Sequence, residues 1–329
     1  MAVLTAIEPH RAIEGGRITL RGAGIPVDGA LLPEVRIGDH RARVVYASSR
    51  ELGVIVPAGL TTAGRHPVRV AGLAGETPFV EIAAPLATGL HQVDNPVFDQ
   101  EGNLYVTYSG TRGQQVPVSI FRVRPNGTRE TFASGIVNPT SMAIDAAGRL
   151  FVSSRFEGTV YRLDDEGKAE PFASDLGVAC GLAFAADGSL FVGDRSGTIF
   201  KVDRDGHAAP FATLPASVAA FHLALGPDGS LFVTGPTLAP YDHVYRISAA
   251  GEVTVLPQVF GRPQGVAFDT GGTLFVVEAL AGVSGLYRVP DGGTSELALA
   301  GPGLVGVAFD RSGGLAVCSN DTAYRLPAS

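Results

Sequence analysis

Gly265-Val-Ala-Phe268, Asp269-Thr-Gly-Gly272 and Leu274-Phe-Val-Val277 read as a strand, a tight turn and a second strand. Leu286-Tyr-Arg-Val289, the turn Pro290-Asp-Gly-Gly293 and Glu296-Leu-Ala-Leu-Ala300 extend the pattern to four strands. Asp and Gly at the turns supply the positive φ that short hairpins need. The unit recurs. Its first-turn glycine appears at Gly102, Gly148, Gly188, Gly229, Gly272 and Gly313, with spacings of 46, 40, 41, 43 and 41 residues. Its third strand appears as Phe121-Arg122-Val123, Tyr161-Arg162-Leu163, Phe200-Lys201-Val202, Tyr245-Arg246-Ile247, Tyr287-Arg288-Val289 and Tyr324-Arg325-Leu326. A period of about 40 residues with four strands per period is that of a propeller blade. The expected fold class is therefore all-β, with a six-bladed β-propeller over residues 83–329.

The sixth unit stops after its third strand, at Leu326-Pro-Ala-Ser329. Upstream of the first unit, Pro85-Leu86-Ala87-Thr88-Gly89 reads like the fourth strands Thr131-Phe-Ala-Ser-Gly135 and Pro171-Phe-Ala-Ser174. The segment near 83–88 is expected to pair with 322–326 and close the ring, which removes exposed sheet edges. In the repeated Tyr/Phe-Arg/Lys pair, the aromatic is expected between blades. The cation is expected to point outward or bridge neighbouring blades over a buried stem.

Residues 1–82 lie outside the repeat. They carry short strands of their own at Arg17-Ile-Thr-Leu20, Glu34-Val-Arg-Ile37, Ala42-Arg-Val-Val45, Leu52-Gly-Val-Ile55, Pro67-Val-Arg-Val70 and Phe79-Val-Glu-Ile82. Six or seven strands in about 80 residues suit a small β-sandwich.

The chain has 329 residues, 45% hydrophobic and 17% charged, with 43 Gly and a net charge of −7. That charge argues against nucleic acid and against anionic membranes as partners. No apolar run is long enough for a transmembrane helix. Glu8, Arg11 and Glu14 interrupt any signal-peptide pattern, so a cytoplasmic location is expected. Two cysteines, Cys180 and Cys318, make neither a disulfide framework nor a metal knuckle. Gly301-Pro-Gly-Leu-Val-Gly306 matches GxGxxG, but a strand follows it, not a helix. The turns Asp164-Asp-Glu-Gly167 and Asp203-Arg-Asp-Gly206 lack the 12-residue ligand pattern of a calcium loop and read as plain hairpins.

In a propeller, the starts of the first strands and the ends of the second strands share one mouth of the central channel. The first-strand column is Asp94, Thr140, Cys180, Phe221, Gln264 and Val305, followed by Asn95, Ser141, Gly181, His222, Gly265 and Gly306. The second-strand ends are Tyr108, Ser154, Asp194, Gly235, Glu278 and Ser319. Two long loops, Ser109–Pro117 and Pro236–Asp242, are candidates for a rim. His222 is a candidate general base or metal ligand, and Asp94, Asp194 and Glu278 are candidate partners for it. Cys180 is a candidate nucleophile, with small apolar filler as the plainer role. The expected catalytic set is Asp94, His222, Glu278 and Cys180. The expected ligand-binding set is Asn95, Tyr108, Thr140, Ser141, Arg155, Asp194, Phe221 and Gln264. A salt bridge to Arg155 or Arg262 is the plain structural role for Glu278. A local pair with Arg195 is the plain role for Asp194.

The propeller resembles the SMP-30/gluconolactonase family and, more loosely, NHL-repeat proteins. The resemblance rests on Asp94-Asn-Pro-Val-Phe98, on Arg262-Pro-Gln-Gly-Val-Ala-Phe-Asp269 and on Ala-Asp-Gly-Ser-Leu-Phe-Val repeats. It implies a lactone hydrolase whose divalent cation, usually calcium, polarises the carbonyl while an Asp acts as general base. The family's first acid falls on Asp94. Its two Asn ligands fall on Thr140 and Cys180, and its catalytic Asp falls on Phe221. Asp94 is thus the one matched metal position, with calcium, zinc or no cation as the alternatives. The N-terminal segment resembles an IPT/TIG immunoglobulin-like domain, through Ile7-Glu8-Pro9, Glu14-Gly15-Gly16, Leu20-Arg21-Gly22, Val35-Arg36-Ile37-Gly38 and Pro57-Ala58-Gly59. That resemblance implies a spacer or a protein-contact module. The leading functional expectation is a hydrolase or lyase for a small molecule. The alternative is a propeller that binds a small-molecule or protein ligand without catalysis.

Overall fold

The computed structural model describes residues 3–27, 32–60, 62–73, 77–279 and 284–326. Every regular element among them is a β-strand. No helix among the described residues is long and apolar enough to cross a membrane.

Five four-stranded sheets stand free of one another, and they form the blades of a β-propeller. Blade 1 runs Val97–Phe98, Leu104–Thr107, Ile120–Val123, Arg129–Ala133. Blade 2 runs Pro139–Ile144, Leu150–Ser154, Thr159–Leu163, Ala169–Ala173. Blade 3 runs Ala179–Phe184, Leu190–Asp194, Thr198–Val202, Ala208–Thr213. Blade 4 runs His222–Leu225, Leu231–Thr234, Asp242–Ile247, Val253–Phe260. The fifth free sheet combines Leu304–Phe309, Leu315–Ser319 and Thr322–Leu326 with the early strand Ala84–Thr88. There Thr322 faces Thr88, and Arg325 faces Ala84.

Six separate radial sheets were expected, and here the structure differs. The meander Pro263–Phe268, Leu274–Glu278, Gly285–Val289, Glu296–Ala300 is not a sheet of its own. Its outer strand accepts a parallel partner, Arg11–Ala12, with Ala12 opposite Ala300. Arg11–Ala12 also pairs in parallel with Phe79–Ile82. The N-terminal strands and this meander therefore form one twelve-stranded hydrogen-bonded series. The inner strand Pro263–Phe268 packs between His222–Leu225 of blade 4 and Leu304–Phe309 of the closing sheet.

The N-terminal strands enclose a core of their own. Ile18, Leu20, Val35, Ile37, Leu52, Val54, Val80 and Ile82 are almost fully buried in one cluster that also takes in Ala300. Burying each such aliphatic side chain stabilises the fold by about 1.5–3 kcal/mol. Two of its strands, Val3–Glu8 and Arg11–Ala12, lie outside the set expected from sequence.

Between blades, second-strand aromatics meet their neighbours edge-on. Examples are Phe151 against Phe184 and Phe232 against Phe268, while Phe275 meets Phe309 at a tilt of 54°. Among the described residues, the third-strand cations do not bridge blades by ion pairs. Arg122 pairs with Glu130, Lys201 with Asp187, Arg246 with Asp228 and Arg325 with Asp310, each within its own sheet. The Arg325 guanidinium lies over the face of Phe98 and so carries a cation–ring contact into the next blade.

Candidate functional site

The inner strands approach more closely than side chains allow. A Cβ on Gly265 would lie 2.4 Å from Asn95 Oδ1 and 2.8 Å from the Gly306 Cα. One on Gly306 would lie 2.5 Å from the Asp94 carbonyl oxygen. Glycine is therefore required at both places, and their absence of bulk lets Asp94-Asn95 wedge against two neighbouring inner strands. Asn95 fastens the wedge. Its Nδ2 donates to the Val266 carbonyl at 2.9 Å, and its Oδ1 accepts the Val307 N–H at 2.9 Å. The expected ligand-binding role of Asn95 gives way to this one, because both ends of its amide are used. Gln92 holds the segment from behind, donating to the Asp94 carbonyl at 2.6 Å and accepting from Thr107 N–H at 2.7 Å.

Asp94 and His222, 128 residues apart in sequence, meet in the ring. His222 Nδ1 hydrogen-bonds Asp94 Oδ1, which also accepts the Asn95 N–H at 2.7 Å. The imidazole is wholly buried, and Asp94 is 1% exposed. The other ring nitrogen, Nε2, lies 3.2 Å from Gln264 Oε1. In this orientation of the Gln264 amide both ring nitrogens face oxygens. With the Gln264 amide turned over, its NH2 would donate to a neutral Nε2. Either orientation of the amide leaves the ring nitrogens of the row Asp94–His222–Gln264 partnered.

Gln264 is where this row reaches solvent. It lines a cavity of about 360 Å³ at the channel mouth, together with Cys180, Asn320 and three arginines, Arg155, Arg195 and Arg262. No aspartate or glutamate is among the lining residues. Arg155 and Arg195 each follow the last residue of a second strand, in blades 2 and 3. Arg262 precedes an inner strand and holds φ at +63°, a conformation uncommon outside glycine. Burial pulls the Arg155 guanidinium below its ordinary range, and the charges of Arg195 and Arg112 act in the same direction. His91 is likewise lowered, first by burial and then by Arg155.

Several expected site residues serve other ends. Cys180 is 1% exposed, and burial, aided by Asp94, pushes its thiol up to about 12. Its Sγ donates to the Val178 carbonyl at 3.3 Å. A thiol held protonated in this way does not fit the nucleophile role. Phe221 is fully buried in the core between blades 3 and 4, so it does not fit the ligand-binding role. Thr140 donates its hydroxyl to the Asn138 carbonyl, and Ser141 Oγ accepts the Leu182 N–H across to blade 3. Tyr108 packs edge-on against His91 and Phe121 and is absent from the cavity lining.

The Asp194 carboxylate accepts the Val178 N–H at 2.8 Å and the Ser196 hydroxyl, so its partner is not Arg195. Glu278 lies outside the cavity lining and forms no ion pair with Arg155 or Arg262 among the described residues. Burial raises its carboxyl above the ordinary range, opposed by a hydrogen bond from Gly261. The set Asp94, His222, Glu278, Cys180 therefore does not assemble as a unit. Asp94, His222 and Gln264 do, with Arg155 beside them at the mouth. Arg195 was missed because Asp194 directly precedes it, and Arg262 because it stands two residues before the counted position Gln264 and was read as a partner for Glu278.

A hard divalent cation does not fit around Asp94. The donors at the matching blade positions are a threonine hydroxyl committed to a carbonyl, a protonated thiol and a phenyl ring. Asp94 Oδ1 is already engaged by two hydrogen-bond donors. Among the described residues, one trio of acid and imidazole groups lies close enough for a metal: Asp203, Asp205 and His207, all exposed. Asp203 Oδ1 there accepts the N–H groups of Asp205 and His207, the ordinary bonding of a hairpin turn.

No protein-family model matches the sequence, and no curated protein matches it. Solved structures do match in shape. A gluconolactonase from Xanthomonas campestris, described as important in glucose secondary metabolic pathways, superposes with a TM-score of 0.63 at 16% identity, over 92% of this chain and 99% of that one. A protein of unknown function from Bacteroides thetaiotaomicron gives 0.61 at 13%, over 98% and 97%. Virginiamycin B lyase from Staphylococcus aureus gives 0.52 at 14%, over 72% and 84%. At these identities the likeness establishes the fold alone: the chain is a β-propeller of the shape that gluconolactonase and virginiamycin B lyase share.

Proposed function

We propose that the protein is a small-molecule hydrolase or lyase that works without the divalent cation implied by its resemblance to the gluconolactonase family. The observation that carries this reading is the buried row Asp94–His222–Gln264, whose outer member lines the mouth cavity. In this reading Gln264 swings aside and bares Nε2 to the substrate. His222 then takes a proton on Nε2, and Asp94 stabilises the imidazolium through Nδ1–H. In hydrolysis the proton comes from a water that attacks an ester or lactone carbonyl, and it returns to the departing oxygen. In elimination it comes from the carbon beside a carbonyl, and the leaving group departs from the next atom. Arg155 meets the negative charge that develops on the substrate oxygen. A screen of lactones and esters on the purified protein tests the reading. We expect turnover that falls about 10²–10⁴-fold in His222→Ala. Turnover unchanged in that variant, or absent throughout the screen, refutes the proposal.

The full burial of His222 favours a second reading, a propeller that binds its ligand without turning it over. Saturable binding with no product in the same screen would establish it. As to architecture, we propose that the fused meander counts as the sixth blade, that residues 83–329 form the propeller, and that residues 1–82 form an immunoglobulin-like module resembling an IPT/TIG domain. The position of Pro263–Phe268 between two inner strands supports the sixth blade.

A further inference from the structure

The mouth cavity carries three guanidinium groups and no acid, in a chain whose net charge is −7. Elsewhere in the propeller, every third-strand cation has a carboxylate of its own sheet within ion-pair distance. Arg155, Arg195 and Arg262 have none among the described residues. The hydrogen bond of the Arg155 guanidinium is a 3.5 Å contact with the Gly110 carbonyl, at the limit of such bonds. The cations come from three separate segments, so the ring gathers them at one place. Arg155 and Arg195 lie close enough for each to oppose the charge of the other. Arg262 enters from the fused meander, on a backbone conformation that costs energy to hold. Like charges gathered in a concave site, without counter-charges, attract anionic ligands and are satisfied by them. Guanidinium planes suit carboxylates, which they grip by two parallel hydrogen bonds.

We propose that the cavity binds a small organic acid with two separated carboxylates, one held by Arg155 and Arg195 and the other by Arg262. The volume of about 360 Å³ suits a short-chain dicarboxylic acid. Two of the polar neighbours, Gln92 and Asn320, have amides committed to the protein backbone, which leaves recognition to the arginines and Gln264. The proposal deepens the small-molecule reading of the same site, but it concerns binding and does not require catalysis.

Calorimetric titration of the full chain with succinate, glutarate and adipate tests it. Butyrate, dimethyl succinate and inorganic phosphate serve as comparison probes. We expect at least one diacid to bind, at least tenfold more tightly than butyrate, with no heat from the neutral diester and weaker binding as salt rises. Arg155→Gln, Arg195→Gln and Arg262→Gln should each weaken the diacid at least tenfold, while Arg246→Gln on the outer face leaves it unchanged. Diacids that bind no better than butyrate, or mouth variants that bind as the parent does, overturn the proposal. Inorganic phosphate binding as tightly as the best diacid overturns the assigned ligand class. His222→Ala should keep diacid binding even where it abolishes turnover. Turnover of neutral lactones without diacid binding would sink this inference and leave the proposed function standing.

Discussion

Two sets of cations sit on the same scaffold, at the outer face of the propeller and at the mouth of its channel. The outer set, Arg122, Arg162, Lys201, Arg246, Arg288 and Arg325, recurs at one point of the repeat, and each member pairs with an acid of its own sheet. The mouth set, Arg155, Arg195 and Arg262, interrupts the repeat and has no acid in the cavity lining. Repetition with local charge balance is what a fold needs to stand. Departure from repetition with charge left over is what a ligand needs. The same contrast separates the inner residues. Asn95 and Ser141 are spent on joining strands, whereas Asp94, His222 and Gln264 form a row that ends at the cavity.

The largest expected effect concerns the buried end of that row. Asp94→Ala removes the partner of a fully buried imidazole, and we expect a loss of about 3–5 kcal/mol in urea unfolding. A loss below about 1 kcal/mol would mean that the pair is not buried as described. Next comes Cys180. Its thiol is held at about 12 against an ordinary 9, so at pH 8 it carries about a thousandfold less thiolate than an unfolded cysteine. Alkylation by iodoacetamide should be slower by at least that factor in the folded protein than in urea. Because the folded value is raised, the folded chain keeps a proton that the unfolded chain gives up. The associated stability is complete below pH 9 and is lost as pH rises towards 12. Faster alkylation of the native protein would return Cys180 to the list of nucleophiles.

A smaller effect, about 1–3 kcal/mol, is expected for Gly265→Ala, because the new methyl group lands on Asn95 and Gly306. Gly229→Ala in an outer hairpin meets nothing within 4 Å and should cost only about 1 kcal/mol, for its positive φ. Equal losses at the two sites would remove the distinction between a crowded hub and an open rim. The smallest effects concern the arginines themselves. Arg246→Gln should lower stability by at most about 1 kcal/mol, since its ion pair is exposed. Arg195→Gln should leave stability unchanged or slightly raised, because it relieves repulsion with Arg155. A clear loss in the second variant would reveal a structural partner for Arg195.

The propeller was legible because its signals are local and repeated: Asp and Gly at each first turn, and a Leu-aromatic-Val strand after it. The fusion to the N-terminal strands was not legible. It runs through Arg11–Ala12, two residues long, which no periodicity can reveal. The partnership of Asp94, His222 and Gln264 could be placed at one mouth by counting along the repeat. Its exclusion of Glu278 could not, since spacing places a residue at a strand end without saying whether its side chain enters the cavity. Arg195 lies one residue beyond a counted position, beside Asp194. In sequence that neighbour looks like its partner, whereas in space Asp194 turns to Val178 and Ser196. The excess of positive charge at the mouth is thus a property of side-chain direction, which spacing alone does not carry.

The central claim, that His222 stands one side chain behind the mouth cavity with Gln264 between, is open to direct measurement. Carbethoxylation of His222 by diethyl pyrocarbonate, followed by mass spectrometry, compares the parent with Gln264→Ala. We expect the variant to react at His222 at least tenfold faster while the exposed His207 reacts at an unchanged rate. Equal rates at His222 in the two proteins would contradict the claim.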